Sequence, residues 1–162
     1  MLQLSAIRMA PLAAALALSL ALGACARNEA PEAAMGAAAP GSVQEFNQSV
    51  GDRVFFDTDS SDLSATAQTT LNKQASWLTQ YGQYSFTIEG HADERGTREY
   101  NFALGARRAE TARDYLIAKG IAASRMKTIS YGKERPVAVC DDDSCWSQNR
   151  RAVTVLAGAP GS

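Results

Sequence analysis

The sequence predicts an α/β fold, a two-layer α/β sandwich running β-α-β-α-β-(α)-β, preceded by a leader and a linker. Three observations carry that expectation. Some segments alternate apolar and polar residues, others repeat apolar residues at helical spacing, and the two periods take turns along the chain. Fifteen alanines fall in residues 1–40, whereas all twelve aromatics lie between Phe46 and Trp146, so the folded unit begins near residue 43. The span from there to residue 157 is long enough to bury one core.

The first element is an address. Arg8 precedes an apolar run from Met9 to Leu22 that is too short to span ~30 Å of hydrocarbon, so residues 1–24 read as a secretory signal peptide. Leu22-Gly23-Ala24-Cys25 resembles the lipobox at which bacterial lipoproteins are acylated on the thiol and cleaved before it. Cys25 is then the lipidated first residue of the mature chain, the alternative being an ordinary signal sequence with an incidental cysteine. Residues 25–42 are rich in Ala, Pro, Gly and Glu and, after the cysteine, hold no aromatic or β-branched residue. Such a segment buries too little apolar surface to offset chain ordering and reads as a flexible tether.

Arg53-Val54-Phe55-Phe56 is β-prone and runs into Asp57-Thr58-Asp59-Ser60-Ser61-Asp62, which suits a loop. Ser64 is an N-cap for a helix over about 65–81, with Ala67, Leu71, Ala75 and Leu78 on one stripe and Gly82 as its stop. Tyr84, Phe86 and Ile88 alternate with polar residues, predicting a strand over 84–89 with Gly90 opening a loop. Thr97 caps a second helix whose stripe is Gly105, Ala109, Ala112 and Leu116, and Gly120 ends it. Strands follow at 126–131 and 152–156, with a helical turn at 144–150 between them and a short tail at 158–162.

With 16 basic against 17 acidic residues and a net charge of −1, the chain is neither a polybasic nucleic-acid binder nor an acidic disordered tail. Its single histidine excludes any site needing two imidazoles within one chain. Glu89, His91 and Asp93 stand at alternate positions, as a metal triad would, but the missing second imidazole argues for a structural, hydrogen-bonded His91 and for no metal or cofactor. Arg108 sits four residues from both Leu104 and Ala112, beside the apolar stripe, so it needs a fixed partner, whereas Arg107 reads as a surface charge. Asp93 and Arg108 either flank one pocket, suited to the zwitterionic end of an amino acid, or simply pair with each other.

Phe56-Asp57, the run from Ile88 through Gly90-His91-Ala92-Asp93-Glu94-Arg95-Gly96-Thr97 to Asn101, Leu104 to Ala109, Ser130-Tyr131-Gly132 and Asn149 to Val153 together resemble the OmpA-like peptidoglycan-binding domain. The resemblance covers residues 50–156 and implies non-covalent binding of the meso-diaminopimelate of peptidoglycan stem peptides. It implies that Asp93 meets the ligand's ammonium and Arg108 its carboxylate, with Phe56 and Asp57 at the rim and Thr97, Asn101 and Leu104 as the wall. For a member with a lipid anchor it further implies outer-membrane attachment through Cys25 with the domain facing the periplasm. Association with TolB and other Tol proteins and a part in cell division come with the same resemblance. Ala26 after Cys25 fits sorting to the outer membrane. Arg150-Arg151 matches a family motif to which no ligand contact is assigned.

Cys140 and Cys145, five positions apart in an exported chain, are expected to form a disulfide closing the Asp141-Asp142-Asp143 loop. An acidic loop can also attract a cation, but no glycine-punctuated calcium pattern is present. No nucleophile with a positioned base stands out, so a binding module is expected rather than an enzyme.

Overall fold

A computed structural model describes residues 38–157; the signal segment, Cys25, most of the tether and the 158–162 tail lie outside the described residues. The elements are α1 (Val43–Glu45), β1 (Arg53–Phe55), α2 (Ala65–Gln80), β2 (Phe86–His91), α3 (Arg98–Ala118), β3 (Met126–Gly132), α4 (Asp143–Asn149) and β4 (Arg151–Leu156). The strands form one sheet in the order β1-β4-β2-β3; β4 runs antiparallel to both its neighbours and β2 runs parallel to β3. Helices α2 and α3 cover one face, giving the two-layer α/β arrangement the periodicity predicts.

Alternation decides that face. Val54, Phe86, Ile88, Ala152 and Leu156 are buried against Leu71, Leu78, Ala109, Ala112 and Leu116 of the helices. Phe55, Ile129 and Val155 remain exposed on the other face. Both long helices begin where a hydroxyl satisfies an orphan amide: Ser64 Oγ accepts from the Ala67 N–H at 3.2 Å and Thr97 Oγ1 from the Tyr100 N–H at 3.2 Å. At its far end α2 is closed by Arg125, whose guanidinium donates to the carbonyls of Leu78, Tyr81 and Tyr84. The cap is therefore at Tyr81, one residue before Gly82.

Two elements differ from the sequence expectation. A helical turn, α1 continuing as a π turn over Phe46–Gly51, precedes the first strand and buries Phe46 completely against Trp77. Gly41 and Ser42, assigned by composition to the tether, are held to it. The Gly41 N–H donates to Glu45 Oε2 at 2.7 Å, the Gly41 carbonyl accepts from Tyr84 Oη at 2.7 Å, and Ser42 caps α1. The second strand covers 86–91 instead of 84–89, so Gly90 lies inside it and opens no loop. The reason is packing: a Cβ on Gly90 would drive into the Gly105 carbonyl, so glycine here admits a close helix crossing instead of making a turn.

Candidate functional site

That crossing places the buried arginine. Gly105 rests on Gly90, and Arg108, three residues along the same helical face, reaches under the end of β2. Its side chain is fully buried. Nε donates to the Ser60 carbonyl at 2.8 Å, Nη1 to that of His91 at 2.8 Å and Nη2 to that of Asp57 at 3.1 Å, while the Phe56 ring lies 5.2 Å from Cζ. A guanidinium carries five N–H donors, and these bonds use three. Burial lowers the Arg108 pKa to about 10, with the Asp93 charge pulling it partly back, so the group stays cationic at neutral pH. Among the described residues no carboxylate pairs with it directly.

Asp93 is paired elsewhere. Its Oδ1 accepts from the Arg95 backbone N–H at 3.1 Å and from Arg95 Nε at 3.2 Å, and its Oδ2 from Arg95 Nη2 at 2.7 Å and Arg150 Nη1 at 3.4 Å. Burial pushes this carboxyl up, but the bonds from Arg95 and Arg150 outweigh the push and hold it below its ordinary value. Of the two alternatives left by spacing, the private Asp93–Arg108 bridge is thus absent. Arg150 is buried, donates from Nε to the Phe56 carbonyl at 3.1 Å and from Nη2 to Asp143 at 3.0 Å, and so ties Asp93 to the residue that follows β1 and to α4.

Asp93, Asn101 and Leu104 line one groove of about 380 Å³ together with Asp59, Arg95 and Tyr100, whereas Arg108, Phe56, Asp57 and Thr97 do not line it. The loop after β1 contributes Thr58 and Asp59 to its lining. Tyr100 Oη donates to Asp59, which itself takes a left-handed backbone angle of φ 56°, and Arg95 Nη2 donates to Thr58 Oγ1 at 3.4 Å. Asp57 faces the site through its carbonyl, its side chain being exposed, and Phe56 through the face of its ring. Thr97 serves as the helix cap, and Asn101 donates to the carbonyls of Arg95 at 2.7 Å and Thr97 at 3.0 Å, so both shape the floor of the Asp93 loop. A larger groove of about 610 Å³ lies beside Gly132 and Phe102, where Arg98 and Glu134 pair with each other at 3.1 Å; it holds none of the ligand-binding residues expected from the sequence.

The metal triad does not assemble. Glu89 and His91 share a side, 3.7 Å apart, but the strand ends at His91 and Asp93 turns into the groove. Among the described residues no three metal-ligating side chains converge. His91 is buried against Tyr131, its Nδ1 has no partner among the described residues, and burial with the charges of Arg151, Arg135 and Arg53 lowers its pKa to about 4. The expected hydrogen-bonded imidazole is not found: among the described residues neither ring nitrogen makes a hydrogen bond, the Glu89 carboxylate standing off at 3.7 Å from Nε2. Cys140 and Cys145 are joined by a disulfide. The segment it closes reaches the site: Asp142 caps α4, Asp143 meets Arg150, and Trp146 lies 4.1 Å beneath the Arg95 guanidinium.

Arg95, Tyr100 and Asp59 are the members to which the sequence assigns no role, while Arg150, noted there only as a motif residue without ligand contact, supports the site through Asp93. Arg95 stands two residues from Asp93, a spacing that lets a side chain fold back on its own loop, which was the available signal.

Known proteins give matching likenesses. The OmpA family pattern matches residues 55–151. The peptidoglycan-associated lipoprotein of Mesorhizobium japonicum is 62% identical over 164 residues, covering 97% of this chain and 98% of its own length. That of Rhizobium meliloti is 63% identical over 156 residues, covering 92% and 89%. Among solved structures, the peptidoglycan-associated lipoprotein from Burkholderia pseudomallei superposes with a TM-score of 0.66 at 41% identity, covering 68% of this chain and 96% of that one. The C-terminal domain of Helicobacter pylori MotB shares the fold at a TM-score of 0.62 and 19% identity, covering 66% and 84%.

Proposed function

The chain belongs to the OmpA family and, within it, to the peptidoglycan-associated lipoproteins, and from that membership we propose that its domain binds peptidoglycan non-covalently through the zwitterionic end of meso-diaminopimelate in the stem peptide. Asp93 takes the ammonium and Arg108 the carboxylate. The observation that carries this is Arg108 itself: a fully buried cation beside the groove with two N–H donors unused and only neutral carbonyls as partners. Such a group is held ready for an anion, because a carboxylate returns more to a desolvated guanidinium than a carbonyl does. The ligand reaches it by lifting the 57–62 loop, whose ties to Tyr100 and Arg95 lie at the surface and whose Asp57 and Ser60 carbonyls yield their bonds to Arg108 as the carboxylate arrives. Asn101 and Leu104 line the groove, and Thr97, Phe56 and Asp57 support it.

With Cys25 acylated, the domain hangs from the outer membrane into the periplasm and links that membrane to the wall. Partnership with TolB and the other Tol proteins, and a role in cell division, follow on the same reading. A binding module is favoured over a hydrolase by the position of the one imidazole, which is buried against Tyr131 outside the groove. The test is sedimentation of the whole chain with isolated peptidoglycan sacculi. Asp93→Asn is expected to leave the protein in the supernatant while its circular dichroism stays native, and wild-type pull-down by that variant overturns the assignment. For the anchor, Cys25→Ser is expected to abolish palmitate labelling; a labelled variant refutes it.

A further inference from the structure

Asp93, the residue proposed to receive the ligand's ammonium, is already full. Two carboxylate oxygens offer about four acceptor positions, and Arg95 takes three of them, with one bond from its backbone and two from its guanidinium, while Arg150 takes the fourth. The two cations are not equivalent. Arg150 has a side chain only 7% exposed and is fixed at its other nitrogens by the Phe56 carbonyl and Asp143. The Arg95 side chain is 41% exposed. Beyond Asp93 its guanidinium makes only a 3.4 Å bond to Thr58, and it lies over the Trp146 ring at 4.1 Å. Trp146 is itself held, its indole N–H donating to Glu94 at 3.1 Å and its neighbour Cys145 locked to Cys140.

We propose that Arg95 is a specificity-determining residue, an internal occupant of the ammonium seat that a ligand must displace from Asp93; this rests on the assignment of Asp93 made above. The exchange swaps one cation for another on the same carboxylate. A plain amine therefore gains little by it, and a ligand that brings a carboxylate to Arg108 as well as an ammonium to Asp93 is selected. The Trp146 face keeps the displaced guanidinium beside the groove, in a cation–π contact that does not depend on Asp93.

The test is a calorimetric titration of the whole chain in detergent with two probes, L-Ala-γ-D-Glu-meso-diaminopimelate and the same peptide acetylated on the diaminopimelate amine. Arg95→Gln removes the competitor without touching the buried partners. It is expected to bind the free-amine peptide about two- to fivefold tighter than wild type, the worth of a half-exposed ion pair, with no gain for the acetylated peptide. A merely structural Arg95 predicts weaker binding of both probes. Equal or weaker binding of the free-amine peptide, or an equal gain for the acetylated one, overturns the proposal. Asp93→Asn separates the two levels: if it abolishes binding while Arg95→Gln brings no gain, only the role of Arg95 falls. If Asp93→Asn binds like wild type, or wild type takes neither peptide, the assignment of Asp93 falls and this inference with it.

Discussion

Lysine in place of Arg108 separates a guanidinium that holds the fold from one that merely carries charge. The native fork spans carbonyls on two stretches of backbone, Asp57 and Ser60 in the loop after β1 and His91 at the end of β2. A lysine ammonium is a single point and cannot reach all three. The His91 carbonyl lies in the buried interior, so the ammonium settles there, and Asp57 and Ser60, near the surface, turn to water. Each re-solvated bond costs about 0.5–1.5 kcal/mol. Two such losses, with the stiffer burial penalty of a strongly hydrated ammonium, amount to about 2 kcal/mol. For a domain of this size that lowers the melting temperature by roughly 5–12 °C. The assay is urea and thermal unfolding followed by circular dichroism, with hydrogen exchange reporting the amides of residues 57–62, which are expected to open faster. A midpoint within about 1 °C of wild type and unchanged exchange in that loop would refute the claim that the fork pins it. On the proposed role of Arg108 as carboxylate partner, Arg108→Lys is also expected to bind the free-amine stem peptide more weakly, since a single ammonium offers no bidentate contact.

His91 supplies a pH signature. Its folded pKa of about 4 lies below the ordinary 6.5, so as pH falls the unfolded chain takes the proton first and native stability drops between those values, while staying level above them. Removing the imidazole with His91→Leu is expected to flatten that part of the stability curve, worth about 3 kcal/mol across the window; urea midpoints from pH 4 to 7 with an unchanged slope would disprove it. The Cys140–Cys145 disulfide closes a short loop, for which chain entropy gives about 2 kcal/mol. Cys140→Ser with Cys145→Ser should therefore lower the unfolding free energy by that amount, read as a lower urea midpoint at unchanged slope, and a midpoint equal to wild type would show that the loop is held without it. Gly90→Ala forces a methyl into the Gly105 carbonyl, an overpacking expected to cost roughly 3 kcal/mol, read as lost soluble yield and a lower midpoint. A variant as stable as wild type would mean that the crossing has room to spare.

Much of this fold is written in local chemistry. Ser64 and Thr97 cap their helices because a hydroxyl next to the first turn meets a free amide whatever the rest of the chain does. The alternation of Phe86 and Ile88 with Thr87 and Glu89 marks one buried face before any partner strand is known. The spacing of Arg108 from Leu104 and Ala112 places a charge at the core border, and the structure finds it fully buried. The register of the second strand is harder to read, because Gly90 signals a turn in local terms and becomes a packing surface only when Gly105 lies across it.

Charge pairing belongs to the other category. Asp93, Arg95, Arg108 and Arg150 are all conspicuous in the chain, and nothing in their order says which cation the carboxylate takes. Coulomb attraction is long-ranged and undirected, so the outcome depends on which groups packing brings within about 3 Å and which it walls off from water. Arg150 is 57 residues from Asp93 and touches it, whereas Arg108, 15 residues away, is turned by the Gly90–Gly105 contact onto backbone carbonyls. Periodicity and capping specify the elements; the close crossing of one helix over one strand decides which cation is left with carbonyls instead of a carboxylate.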